Sequence, residues 1–369
     1  HRWRALQVAG AGVGFEPVAP GSSGVEHRNE VGPQRRLENQ LLTHGSGVAV
    51  GDVDGDGLPD LYFARVDGPN ALYRNLGGWR FEDITAASGT ALDELDGTGV
   101  ALVDLDGDAD LDLLAAGRGQ PNRVLLNDGA GVFTDVTEAA GFGHPGGTTT
   151  LAVADIEGDG DLDVYVANYR VNKAGTVFSP QERTFDQVVK NRDGVFEIDE
   201  KFRDYYRIRE VPEGIIRSEF GEPDILFLND GSGTFTAASW TDGRFLTSEG
   251  APLESVPDEW GLTARFYDID GDLAPDLYVS NDFESPDQFW INRGDGTFRE
   301  VDPFAVRSTS ASSMAVDFSD VDRDGRTDFL VVDMLAKDPG RRRTQIPTIA
   351  PEVMHPGQIE PRLQHNRNT

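Results

Sequence analysis

Asp52-Val53-Asp54-Gly55-Asp56-Gly57-Leu58-Pro59-Asp60 places carboxylates at positions one, three, five and nine of a nine-residue stretch. The pattern D-x-[DE]-x-D-x-x-x-D returns as Asp104, Asp106, Asp108, Asp112 and as Asp155, Glu157, Asp159, Asp163. It returns again as Asp268, Asp270, Asp272, Asp276 and as Asp320, Asp322, Asp324, Asp328. These windows hold 22 of the 64 acidic residues. Carboxylates packed this closely repel one another, and a fold tolerates them when a cation sits among them. Oxygen ligands alternating around a tight turn suit Ca²⁺, which takes about six to eight oxygens in flexible geometry, whereas Mg²⁺ keeps its waters. Zinc calls for His or Cys, and neither is nearby. A solvated acidic turn is the plainer reading of one window. Recurrence in one register favours the metal.

The EF-hand loop opens in the same way but requires a Glu at its twelfth position and flanking helices. The twelfth positions here are Phe63, Ala115, Val166, Val279 and Val331. The flanks, such as Val48-Ala49-Val50 and Leu61-Tyr62-Phe63, are short β-branched and aromatic runs that signal strands. Each loop is therefore expected to cap a β-hairpin and bind one ion, about five Ca²⁺ in all. The side chains of positions one, three, five and nine are the expected ligands. They are joined by the main-chain carbonyl of position seven: Leu58, Asp110, Asp161, Ala274 and Arg326. Position six has to turn sharply, which favours Gly. Gly57, Gly160 and Gly325 comply, and Ala109 and Leu273 do not. Glu157 is one methylene longer than Asp, so loops 52–60 and 320–328 rank strongest and 268–276 weakest. Asp287, outside the loops, is expected not to reproduce the loss of calcium when replaced by Ala.

The loops begin at 52, 104, 155, 268 and 320, a period near 50 that marks a propeller-type array. A second signature, N-x-G-x-[GW]-x-F-like, keeps the same beat from Asn75 to Phe81, Asn127 to Phe133, Asn229 to Phe235 and Asn292 to Phe298. One period thus holds four short strands, the content of one blade. The longer interval after 155 is taken up by residues 170–222 and a smaller addition near 241–256. The first is read as an insertion and not a degenerate blade, because no acidic loop accompanies it. Residues 1–45 are expected to supply an N-terminal strand and lead-in, 46–336 the repeats, and 337–369 a loop and the start of a further blade.

These loops and hairpins resemble FG-GAP (VCBS-type) repeats, the unit of the integrin α-subunit head propeller. Gly45-Ser46-Gly47-Val48-Ala49, Trp260-Gly261-Leu262 and Ser312-Ser313-Met314-Ala315-Val316-Asp317 are similar to segments of bacterial multi-repeat proteins of the cartilage acidic protein 1 type. The resemblance spans most of residues 45–335. It implies an all-β, calcium-stiffened, integrin-α-like propeller on secreted or surface-exposed proteins, without catalysis. Such propellers have seven blades, so five acidic loops lead to the expectation that this chain is a fragment.

The 369 residues carry 33 Lys plus Arg, for a formal net charge of −31. That charge repels phosphate backbones and anionic lipid heads, which argues against nucleic acid and membrane-surface partners. No apolar run approaches the roughly 18 residues of a membrane span. The absence of cysteine excludes disulfides, thiolate zinc sites and cysteine nucleophiles. No G-x-S-x-G, H-E-x-x-H or phosphate-cradling glycine loop occurs, and the six His are scattered. The reading is a non-catalytic adhesion or interaction scaffold, located outside the cytosol (extracellular, periplasmic or cell-surface). Loops without the twelfth-position Glu resemble weak extracellular calcium modules, with dissociation constants of about 10⁻⁴–10⁻³ M, that would stay empty in a cytosol. The alternatives are a carbohydrate-binding propeller, with Trp240, Trp260 and Trp290 as stacking candidates, and a propeller hydrolase. Its protein or glycan partner is not encoded in any motif, and Arg341-Arg342-Arg343 reads as a solvated basic loop.

Overall fold

Runs of four to seven residues bounded by glycine and aspartate form strands that pair with their neighbours in sequence. The computed structural model describes residues 17–334, apart from 212–213, 283–284, 303–304, 307–308 and 311, together with 363–364. Blade one is an antiparallel sheet of Val48–Gly51, Asp60–Phe63, Ala71–Asn75 and Phe81–Asp83, in that spatial order. Blade two repeats it with Gly97–Val103, Asp112–Gly117, Arg123–Asn127 and Phe133–Asp135. Blade three uses Thr148–Ala154, Asp163–Asn168, Ile225–Asn229 and Phe235–Ala237. Blade four uses Gly261–Tyr267, Asp276–Asn281, Gln288–Asn292 and Phe298–Glu300, with Phe245–Leu246 added in parallel at its outer edge. Ser313–Ser319 and Asp328–Asp333 begin blade five.

The core lies between blades, because each sheet is apolar on both faces. Leu113 packs with Val53, Tyr62 and Leu72 of blade one, while its neighbour Leu114 packs with Val164, Val166 and Phe227 of blade three. The second strands of blades two, three and four are consequently buried along their whole length. First strands of successive blades lie side by side. Threonine hydroxyls bridge them: Thr98 donates to Thr148 O (2.8 Å), Thr150 to Leu262 O (2.8 Å) and Thr263 to Met314 O (3.0 Å). Four-stranded sheets arrayed about their first strands make a β-propeller.

Residues 170–222 leave and rejoin blade three at the turn between its second and third strands, which pair directly with each other (Val164 with Phe227). They form two hairpins and a small core of their own around Val188, Ile198, Phe202 and Tyr206. Of the N-terminal segment, residues 1–16 lie outside the described residues. Over residues 17–45 it forms helical turns, Pro20–Ser23, Pro33–Glu38 and Gln40–Thr43, and no strand. Prolines at the first helical positions and the left-handed Gly24 (φ 81°) favour that outcome. The segment covers the outer flank of blade one: His27 stacks on Phe63 at 5.0 Å, and Arg35 pairs with Asp67 and Asp96. Most of the expected further-blade segment 337–369, including Arg341-Arg342-Arg343, lies outside the described residues. Leu363–Gln364 pairs in parallel with Thr309–Ser310.

An Asn or Asp precedes each third strand and accepts the amide at the end of the second. Asn70 Oδ1 takes Arg65 N (2.7 Å), Asn122 takes Gly117 N (3.0 Å), Asp224 takes Asn168 N (2.6 Å) and Asp287 takes Asn281 N (2.8 Å). Blades one and two use the neutral residue, whereas blades three and four bury a carboxyl. Burial pushes Asp224 up to about 7, with hydrogen bonds from Asn168 N and the Tyr165 hydroxyl pulling the other way. An acid whose pKa is raised on folding stabilises the protein below its unfolded value, near 4, and loses that contribution as pH rises toward 7. Asp224→Asn is therefore expected to raise stability at pH 8 by about 1–3 kcal/mol, with no gain at pH 4. Urea unfolding at the two pH values checks it. A loss at pH 8 would show that the ionised carboxylate is preferred there.

Candidate metal loops

All five acidic stretches join the first strand of a blade to its second, so they share one rim of the propeller. The loop backbone is folded by its own carboxylates. At position one, Asp52 Oδ2 accepts Gly57 N at 2.8 Å, Asp104 Oδ2 accepts Ala109 N at 3.0 Å and Asp268 Oδ2 accepts Leu273 N at 3.1 Å. Asp155 and Asp320 do the same for Gly160 and Gly325. At position five, Asp56, Asp108, Asp159, Asp272 and Asp324 each accept the amide of position seven, which is Leu58, Asp110, Asp161, Ala274 or Arg326.

Position nine is buried in loops one to four and divides its oxygens between two amides. Asp60 takes Val53 N (2.9 Å) and Asn75 N (2.7 Å), and Asp112 takes Leu105 N (2.8 Å) and Asn127 N (2.8 Å). Asp163 and Asp276 repeat the pattern, and Asp328 accepts Val321 N. Burial pushes Asp112 and Asp276 up to about 6 and Asp163 up to about 7. Backbone amides offset part of that rise, and neighbouring acidic groups add to it.

Backbone conformation is demanding at two positions. Position six is left-handed in every loop, and this includes Ala109 (φ 74°) and Leu273 (φ 75°). Position four is left-handed too, at Gly55, Gly107, Gly158, Gly271 and Arg323, a requirement the sequence reading did not single out. A side chain there crowds the following carbonyl, at a cost of roughly 1–2 kcal/mol. Leu273 is 90% exposed, so it recovers little by packing. Leu273→Gly is expected to stabilise the protein by about 1 kcal/mol after the added freedom of the unfolded chain is counted. Chemical denaturation measures this, and a destabilised variant would contradict it.

Four loops bring three acidic oxygens within 4.8 Å of one another: Asp52, Asp54, Asp56; Asp104, Asp106, Asp108; Asp268, Asp270, Asp276; and Asp320, Asp322, Asp328. Position nine joins the group in the last two loops only. The fit of a cation is best judged at Asp106, whose Oδ1 is buried with no hydrogen-bond partner. Desolvation raises the pKa of that carboxyl, the Asp108 and Asp104 carboxylates add to the rise, and the Asp108 backbone amide opposes it. A bare carboxylate oxygen among like charges is a hard acceptor aimed at a positive ion. In the third loop, Glu157 Oε1 instead meets Arg244 Nη1 at 3.1 Å.

The Asn hairpins seat on this rim. Each Asn Nδ2 holds position eight of its own loop and, from blade two onward, the position-two carbonyl of the preceding blade's loop. Asn127 donates to Val53 O (2.8 Å), Asn229 to Leu105 O (2.8 Å) and Asn292 to Ile156 O (2.9 Å). The hairpin glycines lie against the same loops, with a Cβ on Gly131 falling 3.7 Å from Asp54 Cβ. Trp79 occupies the corresponding position of blade one, left-handed (φ 61°) and 73% exposed. By contrast, Trp240, Trp260 and Trp290 are all buried, so none of these stacking candidates offers a face to a sugar.

Acidic hairpin loops recur on the rim of this four-stranded-blade propeller, one to each described blade. The chain carries FG-GAP-like repeats, with the family model matching residues 52–115, 104–166 and 268–331. It is 31% identical to cartilage acidic protein 1 of Mus musculus over 141 residues, which is 37% of this chain and 22% of that protein. It is 33% identical to the Xenopus tropicalis protein of that name over 143 residues, again 37% of this chain and 22% of the relative. The matched stretch thus spans about a fifth of those relatives. Among solved structures, the fucose-specific lectin from Aleuria aurantia is 11% identical, with a TM-score of 0.28, over 79% of this chain and 88% of that one. Likeness at that level bears on neither ligand nor activity. Among the described residues no helix is long and apolar enough to cross a membrane.

Proposed function

We propose that this chain is a calcium-stiffened, non-catalytic propeller that acts as an adhesion or interaction scaffold outside the cytosol. The observation that carries the calcium reading is the buried, unpartnered Oδ1 of Asp106 inside an acidic triad that three other loops repeat. Position-one, -three and -five carboxylates would hold the ion in loops one and two, with position nine taking part in loops four and five. Bound there, Ca²⁺ would supply the positive charge that offsets carboxylate repulsion. The carboxylates themselves pin the loop amides, and the Asn side chains carry that rigidity into the next blade. Equilibrium dialysis against calcium, after removal of ions with chelator, tests the reading. Uptake of several ions at millimolar calcium is expected, and none bound would overturn it.

A glycan-binding role is the second reading, and Trp79 is what favours it. Its indole is 73% exposed and held in a left-handed backbone beside Leu76, itself 48% exposed. A glycan array separates the two readings: a scaffold leaves the array blank, whereas binding abolished by Trp79→Ala would establish the lectin role.

A further inference from the structure

Resting on the calcium reading above, we propose that Arg244 is the resident cation of the third loop. That loop then takes no calcium ion, and the described loops bind four ions instead of five. Position three differs from loop to loop in what it meets. In loop two, Asp106 Oδ1 is buried and has no hydrogen-bond partner. In loop three, Glu157 Oε1 accepts from Arg244 Nη1 at 3.1 Å, with the two side chains 26% and 24% exposed. The same Nη1 donates to Gly296 O at 2.8 Å. The third loop is also absent from the loops that gather three acidic oxygens within 4.8 Å.

The guanidinium is held in place by its surroundings. Arg244 directly precedes Phe245, which is fully buried between Trp240, Trp290 and Phe298. From the far side the blade-four hairpin presses down: a Cβ on Gly296 would lie 2.6 Å from Arg244 Nη1 and 2.9 Å from Glu157 Cγ. The extra methylene of Glu157, relative to the Asp of the other loops, supplies reach toward Arg244. Arginine stays charged at every accessible pH, so it repels a second cation from this carboxylate under all conditions. Loop one provides the contrast. Arg74 stands 3.7 Å from Asp54 Oδ2, beyond hydrogen-bond distance, and its close partner is Glu82 at 2.8 Å. Asp54 keeps its place in a triad.

The test counts calcium ions bound to the full chain by equilibrium dialysis, with Ca²⁺ alone as probe. Wild type is expected to bind four, Arg244→Gln five, and Arg244→Lys, which keeps the charge, four. Asp159→Asn is expected to leave the wild-type count unchanged and to return the Arg244→Gln count from five to four. A wild-type count of five, or a wild-type count that falls by one on Asp159→Asn, overturns the proposal without any change at Arg244. An Arg244→Gln protein that still binds four overturns it as well. A wild type that binds no calcium overturns the broader reading and this inference with it, and so is told apart from a count of five.

Discussion

Transfer into chelator is expected to lower the melting temperature by about 5–10 °C. At a tenfold excess of ligand over dissociation constant, a site that binds only the native state contributes about 1.4 kcal/mol. Four such loops contribute between about 5 and 6 kcal/mol, comparable to the whole stability of many domains. In a chain of 369 residues each kcal/mol moves the midpoint by about 1–2 °C. The physical origin is the acidic triad: without an ion, the loops hold carboxylates within 4.8 Å of one another at four places. Asp54→Ala should reproduce about a quarter of the effect and should respond less to added calcium. Calorimetry with and without chelator decides the matter. An unchanged midpoint, together with no calcium taken up, would remove the ion from the account of this fold.

Asp287→Ala is expected to destabilise the chain by about 3–5 kcal/mol, equally with and without calcium. The sequence places this residue outside the loops, where its replacement is expected not to reproduce the loss of calcium, and the structure adds a separate role between blades. Asp287 is 7% exposed and accepts the Tyr278 hydroxyl (2.7 Å), the Ser313 hydroxyl (2.7 Å) and Asn281 N (2.8 Å). Truncation leaves three buried donors without an acceptor, and it unties blade four from the first strand of blade five. Burial holds its pKa up at about 6, with the two hydroxyls and the amide opposing the rise. Asp287→Asn should therefore be far milder, since Asn70 and Asn122 fill the same place in blades one and two. Urea unfolding of the two variants, each measured in calcium and in chelator, separates this role from ion binding. A loss below about 1 kcal/mol for Asp287→Ala would refute it.

The repeating elements of the fold were legible because they recur in register. Alternating aspartates, glycines at the turns and β-branched flanks located every described acidic loop at the tip of a hairpin between strands. Legibility ended where a contact joins residues from different repeats. Arg244 lies 87 positions from Glu157, inside an addition that breaks the period, so no spacing rule connects them. The second bond of Asn127, to Val53, crosses from blade two to blade one and is likewise invisible within one repeat. Asp287 looked ordinary because a lone aspartate before a strand carries no pattern until the sheets of several blades are superimposed. The ranking of loop 320–328 among the strongest rests on Gly325 and an all-aspartate ligand set, both features internal to one repeat.

The Asn bonds between blades also give the molecule a direction. Every such latch reaches backward, from a later blade onto the loop of the one before it, and none of these asparagines reaches forward. Freeing blade two, three or four therefore strips the cover from its predecessor's loop. Along the described blades the loops are thus lapped like roof tiles, each hairpin lying over the loop of the blade before it.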